Sequence, residues 1–193
     1  MRYIALIAAL LLSLPAHANM SLDEIKLGFG TQASAVVDAD EPLQPWLQHD
    51  EGGLAINGEL LFKGPAYLRH IWTPRIQLGG SASLAGETNY VYTGLYWDRD
   101  FCDTWFVAGF FGLALHDGTT DMSPANPNYN NTRLLGNRVL FRLGPEIGYR
   151  IDNNWSISGQ WAHLSHGWIL NGFDTGEPNE GLDQLSVRVG YKF

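Results

Sequence analysis

Apolar and polar side chains alternate with a period of two through most of the chain, the periodicity of a strand whose two faces meet different surroundings. Eight such runs are marked: Glu24 to Thr31, Gly53 to Lys63, Pro74 to Ser83, Thr88 to Trp97, Thr104 to Leu115, Asn137 to Ile151, Asn154 to His166 and Leu182 to Phe193. In the sixth, Val139, Phe141, Leu143, Pro145, Ile147 and Tyr149 alternate with a row that carries Arg138, Arg142, Glu146 and Arg150. The second run agrees, with Leu54, Ile56, Leu60 and Phe62 on one face and Asn57, Glu59 and Lys63 on the other. The fourth and fifth runs are apolar on both faces and fix no orientation. Most runs are close to the ~9 to 11 residues that a tilted strand needs to cross a bilayer.

The connections add a second regularity. Of the links after odd-numbered runs, Gln32 to Gly52, His116 to Gly136 and Gly167 to Gly181 are long and polar and Leu84 to Glu87 is short, whereas those after even-numbered runs are mostly shorter, with Asp152-Asn153 the tightest. Long loops at one end and turns at the other predict an all-β fold, an eight-stranded antiparallel transmembrane β-barrel with a polar lumen, an apolar exterior and both termini on the periplasmic side. Closure leaves no unpaired edge in lipid. The rival architecture, a soluble lipocalin-like barrel or sandwich, would turn the apolar rows inward. The last strand, ending Tyr191-Lys192-Phe193 with apolar residues at alternate positions, resembles the C-terminal strand by which outer-membrane barrels are recognised for insertion.

The N-terminus changes the compartment but not the fold. Arg2, the apolar run Ile4 to Leu14 and then Ala16-His17-Ala18 have the layout of a secretory signal peptide, so residues 1–18 are expected to be removed and 19–193 to form one barrel domain in the outer membrane of a Gram-negative cell. Asp and Glu number 20 against 12 Lys and Arg, and loss of Arg2 widens the imbalance, which argues against a nucleic-acid partner. The single Cys102 excludes an internal disulfide framework and reads as a bystander thiol in a turn. His70 and His116 lack metal-ligand spacing and read as surface or turn residues, and no metal or cofactor is expected. The tryptophans, among them Trp97, Trp105, Trp155, Trp161 and Trp168, read as interface girdle and packing.

Two rows carry the candidate chemistry. Trp155, Ile157, Gly159, Trp161, His163 and Ser165 share one face of the seventh run, so a histidine and a serine end an otherwise apolar row. In the eighth, Asp183 belongs by parity to the row of Leu185, Val187, Val189, Tyr191 and Phe193. If His163 lies opposite Asp183 in antiparallel pairing, Phe193 falls opposite Asn153 and the far ends of both strands align. Alternate residues are then about 6.6 Å apart and opposed side chains about 5 Å apart, a spacing that lines up Ser165, His163 and Asp183 as nucleophile, base and orienting acid. Ionisable groups on an outward row cost least at headgroup level, where the ester bonds of a lipid lie.

These residues resemble the lipid A 3-O-deacylases of the PagL type. The family's His-x-Ser-Asn motif on the penultimate strand is matched by His163-Leu164-Ser165-His166, and its Asn-x-Gly-x-Glu motif by Asn179-Glu180-Gly181-Leu182-Asp183. The resemblance implies an outer-membrane serine esterase that removes the acyl chain at position 3 of lipid A without a metal, with Ser165, His163 and Asp183 as its triad and lipopolysaccharide of the outer leaflet as its partner. Three departures stand out: Asp183 replaces the family's Glu, the loop between the motif halves is longer by about Gly172 to Glu177, and His166 stands where the family has an oxyanion-associated Asn. An imidazole N–H of His166, or backbone N–H groups near Gly167, would take that role. Glu180 is the alternative acid. A non-enzymatic barrel serving as scaffold, adhesin or loop-based binder, and an esterase acting on phospholipid, remain as other readings, and a homodimer is compatible with all of them.

Overall fold

The computed structural model describes residues 21–33, 53–121, 123, 125, 134–166 and 181–193. The signal segment 1–18, Gly167, Trp168, the Gly172 to Glu177 stretch, Asn179 and Glu180 lie outside them, as does most of the Gln32 to Gly52 loop. The described strands are β1 (Leu22–Ala33), β2 (Gly53–Phe62), β3 (Arg75–Ser83), β4 (Tyr90–Asp100), β5 (Trp105–His116), β6 (Val139–Arg150), β7 (Trp155–Ser165) and β8 (Leu182–Lys192). Each pairs antiparallel with the next, and β8 pairs back onto β1 to close the barrel.

All eight expected runs are strands, with shifted ends. β4 continues past Trp97 to Asp100, which lies opposite Phe106 on β5. Its acidic residues stay in the ladder because Arg75 holds Asp98 at 3.0 Å and Arg150 holds Asp100 at 2.7 Å. The tight turn between β6 and β7 is set by Asp152, whose carboxylate accepts from the N–H of Asn154 (2.8 Å) and of Trp155 (2.7 Å). Those donors, Trp155 first, hold the Asp152 carboxyl below its usual range. A six-residue 3₁₀ helix, Ala66–Ile71, occupies the β2–β3 connection and had no counterpart in the sequence pattern.

Parity sorts the side chains as the sixth and second runs predict. Leu27, Phe29, Leu54, Ile56, Val91, Leu115 and Ile147 are exposed on the outside, while Lys26, Glu59, Arg142, Glu146 and Arg188 are buried inside. The lumen is filled by paired charges: Lys26 Nζ meets Glu146 at 2.6 Å, and Arg188 bridges Glu59 (2.8 Å) and Glu146 (3.2 Å). The runs that fixed no orientation resolve here. Tyr90, Tyr92 and Tyr96 of β4 and Phe106 and Phe110 of β5 turn inward, where the Arg142 guanidinium lies 3.8 Å from the Tyr92 ring centroid and 4.2 Å from that of Phe110. Ring faces solvate cations that have left water, so an aromatic inner row is compatible with a charged core.

His116 departs from the expected surface position. It ends β5 on the inner row, is buried, and its Nε2 lies 2.6 Å from the carbonyl of Asn137. A backbone partner across the β5–β6 ladder makes that burial tolerable. Cys102 is exposed in the β4–β5 turn, as expected.

The β1–β8 seam requires a close approach at Gly30. A Cβ there would stand 2.0 Å from the carbonyl oxygen of Leu185 and 2.7 Å from the Ser186 Cα, both backbone atoms. Gly30→Val is therefore expected to destabilise the closed barrel by about 1–3 kcal/mol, in the range of overpacked sites. The loss would be read as a lower urea midpoint for the folded band in unheated gel electrophoresis.

Candidate active site

β7 and β8 place the candidate residues through their register. His163 lies directly opposite Asp183, and the same alignment carries down the pair to Trp155 opposite Tyr191. The pairing anticipated from the sequence is thus the observed one. Trp155, Ile157, Leu185, Val187 and Val189 are exposed on the outer face, whereas Ser156, Ser158, Gln160, Ser186 and Arg188 are buried on the inner one. His163, Ser165 and Asp183 belong by parity to the outer rows.

His163 Nδ1 lies 2.7 Å from Asp183 Oδ1. A carboxylate can only accept, so this contact puts the imidazole proton on Nδ1 and leaves Nε2 as an acceptor. The aspartate side chain is 1% exposed and that of the histidine 25%. The acid is therefore screened from outside while the ring edge remains reachable. Ser165 ends β7 one alternate position beyond His163 and is half-buried. Its Oγ makes no hydrogen bond to the His163 ring among the described residues, so the structure joins base and acid and leaves the hydroxyl as the neighbouring group on their row.

The surroundings are apolar. Leu143 of β6 lies opposite His163, and Phe141 lies opposite Ser165. The Trp161 ring is 6.4 Å from that of His163, and Leu185 is exposed beside Asp183. Phe141 in turn stacks on Phe111 at 5.6 Å. Trp161 and Leu143 were not singled out as site-lining by the sequence, although strand parity and register together identify them. His166 follows the last residue of β7 and is buried; Gly167 is outside the described residues. Among the described residues no group of three His, Cys, Asp or Glu side chains is disposed to hold a metal ion.

A closed eight-stranded antiparallel barrel, apolar and exposed outside and ion-paired within, defines an outer-membrane β-barrel protein. Within that class the chain belongs to the lipid A 3-O-deacylase (PagL) family, whose model matches residues 27–192. Among solved structures it is similar to the outer membrane enzyme PagL, with TM-score 0.57 and 15% identity, covering 86% of this chain and 97% of that one. De novo designed transmembrane β-barrels also match, at TM-score 0.48, 9% identity and coverage of 90% and 98%. So does Neisserial surface protein A, at TM-score 0.46, 10% identity and coverage of 89% and 96%. No curated protein sequence matches the chain.

Proposed function

We propose that this protein is a serine esterase that removes the ester-linked acyl chain at position 3 of lipid A, acting from the outer wall of its barrel. The observation that carries the reading is the 2.7 Å contact between His163 Nδ1 and Asp183, across a register that also sets Ser165 on the same face. Family membership supplies the substrate class.

His163 Nε2 takes the proton of the Ser165 hydroxyl as Oγ attacks the acyl carbonyl carbon. The tetrahedral oxyanion is stabilised by the N–H groups of His166, which follows the last residue of β7. When the carbon–oxygen bond to the sugar breaks, the imidazolium gives its proton to the departing sugar oxygen. A water molecule, deprotonated by the same ring, then releases the fatty acid from Ser165. Asp183 keeps the ring in the required tautomer and stabilises its charged form throughout. The Asp in place of the family's Glu is one methylene shorter, which the directly opposed register accommodates. The apolar surroundings of Leu143, Phe141, Trp161 and Leu185 suit an acyl chain lying against the wall. In this reading residues 1–18 direct export and are removed, and the barrel sits in the outer membrane with the site at the outer leaflet.

Mass spectrometry of lipid A from cells expressing the chain tests the assignment. The expected result is lipid A lacking the 3-position acyl chain, with free fatty acid of matching length. Intact lipid A together with deacylated phospholipid would reject the substrate, and no change in either lipid would reject the enzyme.

A further inference from the structure

The β2–β3 connection lies at the short-turn end of the barrel, away from the candidate active site. Residues 63–74 include Lys63, Tyr67, Arg69, Ile71 and Trp72 but no Asp or Glu, in a protein of formal net charge −8. Its 3₁₀ helix buries none of its residues. Tyr67 is 51% exposed, Ile71 42% and Trp72 76%. Trp72 also adopts a left-handed backbone (φ 65°), as does Thr73 (φ 48°), conformations that L side chains rarely take. Strain and exposure of the largest apolar side chain at one residue call for something outside the chain that rewards the arrangement.

The direction of the segment says what that is. Trp97 stands on the outer row of β4, and its Nε1 donates to the carbonyl of Ile71 at 2.8 Å. Arg99, next on the row, donates from Nη2 to the carbonyl of Trp72 at 3.3 Å. The segment is therefore held against the outside of the wall and not across the lumen. At this end of a membrane barrel that volume is the headgroup layer of the periplasmic leaflet. Lys63, Arg69 and Arg99 are exposed and, among the described residues, take part in no ion pair. The neighbouring Asp98 and Asp100 are already engaged by Arg75 and Arg150.

We propose that residues 63–74, with Arg99, form an interfacial foot that docks in the periplasmic leaflet. Tyr67, Ile71 and Trp72 immerse at the level of the glycerol backbone, and Lys63, Arg69 and Arg99 bind the phosphates of anionic phospholipids. The foot joins the apolar exterior of β3 and β4, so one lipid layer contacts both. Its role is to fix the depth and tilt of the barrel from the side opposite the active site.

Nitroxide scanning of the full chain tests the foot. With Cys102→Ala as background, Trp72→Cys and, separately, Arg69→Cys are labelled and reconstituted in vesicles of phosphatidylcholine with or without phosphatidylglycerol. The native Cys102, labelled alone, is the reference for an exposed turn at the same end. The label at 72 is expected to show an oxygen-to-nickel-chelate accessibility ratio several-fold above that at 102, and phosphatidylglycerol should raise it further. Lys63→Gln with Arg69→Gln, introduced beside the label at 72, should remove that further rise. The label at 69 should lie shallower than the label at 72 and still above the reference. Equal ratios at 72 and 102 in both lipid mixtures would overturn the proposal. So would shielding of 72 from both oxygen and nickel, which would mark a protein contact.

Discussion

Ser165→Ala is expected to retain a folded barrel and to lose lipid A deacylation by about 10⁴-fold or more in purified protein assayed on lipid A in mixed micelles. The magnitude follows from the role assigned to Oγ: without it no acyl-enzyme forms, and the surrounding wall contributes substrate binding alone. Ser165 is the last residue of β7 on the outer face, so removal of its hydroxyl leaves the lumen network intact. His163→Ala is expected to fall to a similar level, because members of such a unit are not additive. Asp183→Asn should lose about 10³- to 10⁴-fold, since an amide facing Nδ1 favours the tautomer that cannot accept from serine. A merely structural role for Asp183 would instead lower the yield of folded barrel while leaving turnover per folded molecule unchanged.

Glu146→Ala should cost about 3–5 kcal/mol of barrel stability, the range for breaking a buried ion pair from one side. Glu146 meets Lys26 at 2.6 Å and Arg188 at 3.2 Å, and it accepts from Gln160 Nε2 at 3.1 Å. Its removal leaves the Lys26 ammonium, whose side chain is 1% exposed, with the Tyr96 hydroxyl at 2.8 Å and only the more distant Glu24 carboxylate, at 3.8 Å, to balance its charge. Arg188 keeps Glu59 at 2.8 Å and is left less exposed to loss. Glu146→Gln, which preserves shape and hydrogen-bonding capacity, should lose less. Urea unfolding in vesicles, followed by tryptophan fluorescence, separates the two variants, and deacylation per folded molecule should survive in both because the network lies on the other side of the wall from His163.

The alternation of Val139 to Tyr149 with Arg142 and Glu146 made strand, orientation and lumen polarity legible together, because lipid and a polar core impose opposite demands at every second residue. The His163–Asp183 register was legible for a related reason: aligning the far ends of two strands of similar length leaves few pairings open. β4 and β5 resisted orientation because tyrosine and phenylalanine suit both a lipid face and a face packed on Arg142. The burial of His116 was hidden, since it depends on the carbonyl of Asn137, a neighbour brought in by the ladder and not by local sequence. The 3₁₀ helix was hidden for the same reason: its anchor to Trp97 is a tertiary contact. The screening of Asp183 to 1% exposure, in a row otherwise open to the outside, could not be read from parity, which assigns a face and not a depth.

Mapping the adduct of a serine-directed fluorophosphonate on the purified, folded protein tests most directly whether Ser165 is the nucleophile. Peptide mass spectrometry is expected to find a single adduct on Ser165, formed with the wild type and lost in His163→Ala. An adduct on any other serine, or none in protein that deacylates lipid A, would contradict that role.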